Sequence, residues 1–271
     1  MKVAKNNTED SLWVIIDSLV YDVTEFALGH PGGAHVLLQV AGTDATRDFY
    51  SMHRHEVLGK YRSMIIGRIH NKTPQIVARG IGELSTVPYA EPTWLIPAFK
   101  SPYYNESHRK LQKEIRVFVD TILRPEALRI EEAGIYPSQE FFLKTAELGI
   151  TPMRLGPGKH LLGRKLFSGV KPEEMDYFHE LILNQEMALT HSRTCNDGFG
   201  GGVVIGLPPV LNFCANKKLQ KEVIDEVLGG RKMIALAITE AFGGSDVVNG
   251  LRTTAVKSAD GTHYVVNGTK K

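Results

Sequence analysis

Residues 30–55 read HPGGAHVLLQVAGTDATRDFYSMHRH, and no other stretch of the chain narrows its fold as much. Pro31 fixes its own φ while Gly32 and Gly33 permit φ > 0, so His30 is predicted on a tight, rigid turn whose small residues let the backbone approach a flat ligand. Short helices are predicted at Ala34–Val40 and Asp44–Phe49, separated by Ala41-Gly42-Thr43, with helical spacing resuming over Val57–Tyr61. Upstream, LWVIIDSLVYDVTEFA (residues 12–27) reads as two strands around a turn at Asp17-Ser18, and MIIGRI (residues 64–69) supplies a closing segment. The result is a small α+β unit, with His53 in the segment that follows, 23 residues after His30.

Neutral imidazole is a good ligand for iron, and two imidazoles on opposite faces of a porphyrin fill both axial positions; such an iron moves electrons. The whole pattern, WVIIDSLVYDVTEF…HPGGAHVLLQVAGTDATRDFYSMH…LGKYRSMIIGRI, resembles cytochrome b5-like haem domains over about residues 10–70. The resemblance includes Tyr21-Asp22-Val23-Thr24, Ala41-Gly42, Asp44-Ala45-Thr46 and Phe49. It implies haem b, with His30 and His53 as axial ligands and Val36, Leu37, Val40 and Phe49 walling an apolar pocket. His55, two positions after His53, stays open as the alternative ligand, and His35 is expected at the surface.

Residues 71–99 read as a linker or docking segment, with prolines at 74, 88, 92 and 97 and no sustained period. Beyond it the period becomes helical. Leu111, Ile115, Phe118 and Ile122 recur at three- and four-residue spacing until Pro125, which is predicted to end the run. Further helices are expected from Ser138 to Gly149, from Pro172 to about Ala188, and over Lys217–Leu228 behind Asn216 as a cap. MIALAIT (233–239), TTAVK (253–257) and THYVVNG (262–268) then read as strands, with a hairpin turn at Asp260-Gly261.

Glycines after a strand end can bring backbone N–H groups to a phosphate, and ITEAFGGSDV (residues 238–247) has them beside two hydroxyls. This element, with the downstream Asn-Gly-Thr-Lys-Lys, resembles the acyl-CoA dehydrogenase family over about residues 100–271. RPEALRIEEAGIYPSQEFFLKTAELGI resembles the helical N-terminal region of that family. The resemblance implies noncovalent FAD and an acyl-CoA substrate oxidised between its α and β carbons. Ile238 and Thr239 would lie against the flavin, Gly244 and Ser245 would approach the FAD phosphates, and Ser245 would also touch the thioester. Ala241-Phe242 replaces the family's usual Pro-Gly, and Glu240 is expected to be structural.

In that family the α-proton goes to a glutamate from a helical domain after the sheet. The sequence ends before such a domain, so no catalytic residue is nominated, and the expectation is a truncated form unable to dehydrogenate by itself. The expected fold is multidomain: an N-terminal tail (1–9), an α+β cytochrome b5-like domain (10–70), the linker (71–99), an all-α helical domain (100–231) and the first strands of a β-barrel-like middle domain (232–271). The leading functional expectation is a haem- and FAD-linked oxidoreductase of the acyl-CoA dehydrogenase type. An electron-transfer haem module with an inactive dehydrogenase remnant is the alternative.

Near charge balance, +2 over 271 residues, together with scattered Lys and Arg, argues against nucleic acid. Two cysteines, Cys195 and Cys214, exclude a disulfide framework, a zinc site and an attached c-type haem, and both are expected to be inert. No apolar run reaches membrane-spanning length and no signal core opens the chain, so a cytoplasmic location is expected. The expected partners are an acyl-CoA substrate and an electron-transfer protein, with full-length relatives homo-oligomeric.

Overall fold

The computed structural model describes residues 2–77, 79–87 and 90–271, with the side chains of Glu56 and Thr194 outside the description. Pro88 of the linker segment also lies outside the described residues. The chain divides into two compact units, Met1–Arg79 and Gly80–Lys271.

In the first unit, β1 (Asn7–Thr8), β2 (Ser11–Ile16), β3 (Leu19–Asp22) and β4 (Ile65–Arg68) form an antiparallel sheet in that order. Asp17, with φ 58°, occupies the left-handed region that a two-residue hairpin loop needs, and Asp is among the residues that tolerate it. The pairing Ile16↔Leu19 and Val14↔Tyr21 follows from that turn. Alternation along β2 sends Leu12, Val14 and Ile16 to one face and Ile15 to the other, where it meets Val3 and Val20.

Two short helices, α1 (Ala34–Val40) and α2 (Thr46–Met52), cover the first face. The Ala41-Gly42-Thr43 break between them is stitched to β2. The Gly42 amide donates to Trp13 O at 2.7 Å, the Ile15 amide to Thr43 O at 3.0 Å, and the Ala45 amide to Ile15 O at 2.8 Å. The sheet therefore holds both helix ends, and the second helix runs Thr46–Met52 instead of Asp44–Phe49 because Asp44 is held in a side-chain turn ahead of it, accepting from the Thr46 amide at 3.1 Å.

The second unit is helical. Its elements are α3 (Glu106–Phe118), α4 (Arg124–Ala133), α5 (Gln139–Glu147), α6 (Ile150–Met153), α7 (Tyr177–Ala188), α8 (Arg193–Asn196), α9 (Leu207–Phe213) and α10 (Lys217–Leu228), followed by the hairpin of β5 (Thr254–Lys257) and β6 (Tyr264–Asn267). Ser138 caps α5 by accepting from the Phe141 amide, Gly149 follows that helix at φ 81°, and Asn216 caps α10.

Three expectations are corrected. Pro125 does not end its helix: Val119–Leu123 adopts a π-turn that joins α3 to α4. The wider turn accommodates the missing N–H and the proline ring, and it rotates the face so that Val119 and Leu123 are buried while Ile122 is exposed. The third predicted helix starts at Asp176 rather than Pro172, because the Asp176 carboxylate accepts from the Phe178 and His179 amides. MIALAIT is not a strand. Among the described residues no neighbouring strand offers it a ladder, and Thr239 O accepts from the Lys271 amide while Ile238 O accepts from Lys270 Nζ. No barrel closes.

The core of the unit is organised by α3 and α7, which run parallel: His108 meets His179, and two turns further along both helices Arg116 meets Glu186. Arg116 is 2% exposed. Its Nε and Nη2 bind both oxygens of Glu186 at 2.7 and 2.8 Å, its Nη1 and Nη2 reach Glu91 at 2.7 and 2.8 Å, and Gln112 donates to Glu186 at 3.0 Å. Burial opposes the guanidinium charge, but the hydrogen bonds from Glu186 and Glu91 outweigh it and raise its pKa. Removing the cation leaves two carboxylates facing each other. Arg116→Met is expected to destabilise this unit by about 3–5 kcal/mol, read from urea unfolding; an unchanged midpoint would contradict the role of the network.

Candidate functional site

The pocket of the first unit lies between the sheet and the two short helices. Its walls are Val14 and Ile16 of β2, Tyr21 of β3, Leu37 and Val40 of α1, and Phe49 of α2, with Val57, Leu58 and Met64 closing the floor. Two imidazoles enter this apolar space from opposite sides.

His30 stands on the predicted turn, and the turn works on the ring directly. Gly33 sits at φ 87°, ψ 154°, a conformation nearly confined to glycine, and caps α1. This brings its carbonyl to 3.1 Å from His30 Nδ1. With Nδ1–H donating there, Nε2 carries the free lone pair, the orienting device usual for a metal-bound histidine. Gly32 must also lack a side chain: a Cβ would stand 2.9 Å from His30 Cε1.

His53 is the first residue past α2, its amide donating to Phe49 O at 2.7 Å, and the Phe49 ring packs 5.2 Å from its imidazole. The two imidazole centroids lie 6.1 Å apart, with the rings nearly perpendicular at 84°. A metal–imidazole bond of about 2 Å, with the ring nitrogen about 1.1 Å from its centroid, puts two imidazoles that share one metal atom about 6 Å apart. That spacing would let both imidazoles hold one metal atom.

His55 goes elsewhere. Its Nδ1 is 2.9 Å from Tyr50 Oη, the Tyr50 hydroxyl donates to Asp17 at 2.6 Å, and the two rings stack. His35 is exposed. Val36, Leu37, Val40 and Phe49 all border the pocket, and Val36 does so from a half-open position.

In the second unit, Ile238, Thr239, Gly244 and Ser245 form an exposed strip. A Cβ on Gly244 would meet nothing within 4 Å, so the backbone there is open to a ligand on one side. Glu240 is its anchor. Its carboxylate accepts from the Arg252 amide at 2.6 Å and the Thr253 amide at 3.2 Å, and pairs with Lys270 at 2.7 Å. The Lys270 ammonium, then those amides, hold the Glu240 carboxyl down at about 2. Phe242, at the family's Pro-Gly position, is exposed and stacks beneath the Arg252 guanidinium, 4.0 Å from its ring centre.

Residues 1–70 match the family described as cytochrome b5-like heme/steroid binding domain. A cytochrome b5 of Bos taurus is 32% identical over 105 residues, covering 37% of this chain and 78% of that protein. The chain belongs to the cytochrome b5 family. The acyl-CoA dehydrogenase apdG of Emericella nidulans is 41% identical over 196 residues, 70% of this chain and 44% of that protein. This b5-family chain therefore spans less than half the length of that dehydrogenase relative. A solved acyl-CoA dehydrogenase from Bacillus anthracis, complexed with FAD, is 25% identical with a TM-score of 0.49, covering 66% of this chain and 29% of that one. No helix among the described residues is long and apolar enough to cross a membrane.

A second histidine cluster escaped the sequence reading. His108, Asp176 and His179 offer ligand atoms within 4.8 Å of one another. They are two interlocked helix caps. Asn105 caps α3 with His108 at the third position, and Asp176 caps α7 with His179 at the third position, each histidine reaching back to its cap. Both imidazoles also turn toward Asp176 Oδ1, at 3.0 and 2.8 Å, and His179 Nε2 meets Ser107 Oγ at 3.1 Å. Every imidazole nitrogen of the two is partnered within the caps, at hydrogen-bond rather than metal–ligand distances. The N-x-x-H and D-x-x-H spacings were the available signal. Cys195 is likewise inert, because burial pushes its thiol up to about 11.

Burial lowers the pKa of His179 from 6.5, so the folded chain binds fewer protons there than the unfolded chain. That contribution is present above pH 6.5 and lost as pH falls through the lowered value. Asp176, although burial opposes it, is held down at about 2 by His108 and His179, and its contribution is lost at still lower pH. Unfolding free energy of the second unit is expected to fall as pH drops below 6.5. His179→Gln, which keeps a capping-box residue, is expected to flatten the upper part of that slope; an unchanged slope would contradict the assignment.

Proposed function

We propose that the first unit binds haem b, with His30 and His53 as the two axial ligands, and works as a one-electron carrier. The observation that carries this is the imidazole pair, 6.1 Å apart, in a pocket that is apolar apart from Asp48 and the tyrosine hydroxyls at its border. Iron in a porphyrin so ligated supplies reversible one-electron transfer with no open position for oxygen. The chain's own part is to orient and exclude. Gly33 O fixes the His30 tautomer, Phe49 packs on His53, and the aliphatic walls keep water from the metal. His55 stays bound to Tyr50.

For the second unit we propose a dehydrogenase role toward an acyl-CoA, supported by the apdG likeness. The exposed strip fits one wall of a flavin site, with an apolar side chain in Ile238, hydroxyls in Thr239 and Ser245, and open backbone at Gly244. FAD supplies a hydride acceptor when bound. Ile238 and Thr239 would contact its ring, Gly244 and Ser245 its phosphates, and Ser245 the thioester, while Glu240 holds the strip rigid. No residue here is assigned as the base. With both groups in one chain, electrons collected in pairs would leave singly through the haem to an electron-transfer partner protein.

The test is titration of the full chain with haemin and FAD, scanned before and after dithionite. His30→Ala and His53→Ala are each expected to lose the six-coordinate haem spectrum, and His55→Ala to keep it. Loss in His55→Ala with retention in His53→Ala would overturn the ligand assignment. Absence of any retained flavin would remove the FAD reading for this chain.

A further inference from the structure

The turn between β2 and β3 does more than reverse the chain. Asp17, 4% exposed, is hydrogen-bonded to two separate segments, α2 and the chain at residues 75–76. The Tyr50 hydroxyl of α2 donates to its Oδ2 at 2.6 Å, and the Gln75 amide donates to its Oδ1 at 2.6 Å, with the Ile76 amide 3.5 Å from Oδ2. Its own amide donates to Thr46 Oγ1, at the start of α2, at 2.8 Å. The helix that leads into His53 is therefore tied to Asp17 at its start, through Thr46, and in its middle, through Tyr50.

The same carboxylate holds the chain where it leaves the unit. Besides the bonds to Gln75 and Ile76, Lys72 pairs with Asp44, whose Oδ1 accepts from Thr46. Residues 72–76 thus lie on the two carboxylates that also fix α2.

Resting on the haem assignment above, we infer that Asp17 is a positioning residue that couples capture of haem by His53 to docking of the exit segment at residues 72–76. The physical route is short. Tyr50 stands one helical turn before His53, so coordination of His53 restrains α2, keeps the Tyr50 hydroxyl on Asp17 and holds that carboxylate where Gln75 needs it. With the pocket empty, opening of α2 releases Tyr50, and Asp17 becomes free to turn away from the exit segment. Because the two events share a group, each favours the other.

Amide-resolved hydrogen exchange on the full chain tests this, with and without haemin. The Gln75 amide is expected to exchange about tenfold more slowly in the haem-loaded chain, since an opening equilibrium is being closed. Tyr50→Phe, which leaves the Asp17–Gln75 bond and the Asp17 amide's bond to Thr46 in place but cuts the carboxylate's link to α2, is expected to bind haem with an unchanged spectrum and lose that haem-dependent slowing. Asp17→Asn, which keeps a residue tolerant of the left-handed turn, is expected to speed Gln75 exchange in both states. Equal Gln75 rates with and without bound haem in the unaltered chain, or full slowing retained in Tyr50→Phe, would overturn the coupling while leaving the haem assignment intact. A chain that takes up no haem would overturn both.

Discussion

Two imidazoles held 6.1 Å apart, centre to centre, in a largely apolar pocket impose a demanding geometry, and the first unit is arranged around meeting it. A ring on a loop can swing, so His30 is clamped by the Gly33 carbonyl, which only a glycine at positive φ can present there. A ring at a helix end can swing as well, so α2 is pinned at its start through Thr46 and in its middle through Tyr50, both to Asp17. The sheet supplies the rigid reference. The break between the two helices is bonded to β2, so neither helix can slide without breaking backbone bonds in a buried strand.

The second unit relies on charge as much as on apolar packing. Its parallel helices α3 and α7 place their positive ends side by side, an arrangement that repels unless anions lie between. Asp176 meets that need at the helix starts, and Glu186 and Glu91 surround Arg116 further along. Glu240 repeats the device near residues 238–245, where its carboxylate does for the backbone what a neighbouring strand would do in a sheet.

What could be read from the residues divides along physical lines. His30, the PGG turn, the strand–turn–strand start and the caps at Ser138 and Asn216 depend on local chemistry, and local chemistry is written in adjacent letters. Helix boundaries that depend on partners were missed. Pro125 was taken as a terminator because a straight α-helix cannot carry it, but a π-turn can, and nothing local announces one. MIALAIT has a strand's composition, but a strand exists only with a ladder beside it. The Arg116–Glu186 pair joins positions 70 residues apart, and the Asp17–Gln75 contact spans 58, so neither leaves a short-range trace. His53 and His55 are separated by two positions, and the Tyr50 hydroxyl beside His55 is what distinguishes their surroundings.

The central claim is that one iron sits between His30 and His53. Low-temperature electron paramagnetic resonance of the ferric, haem-loaded full chain tests it most directly. Two imidazole ligands predict a low-spin signal with no high-spin component at neutral pH, lost on replacing either histidine. A dominant high-spin signal in the unaltered chain would mean that an axial position is open, and the account of the pocket would be wrong.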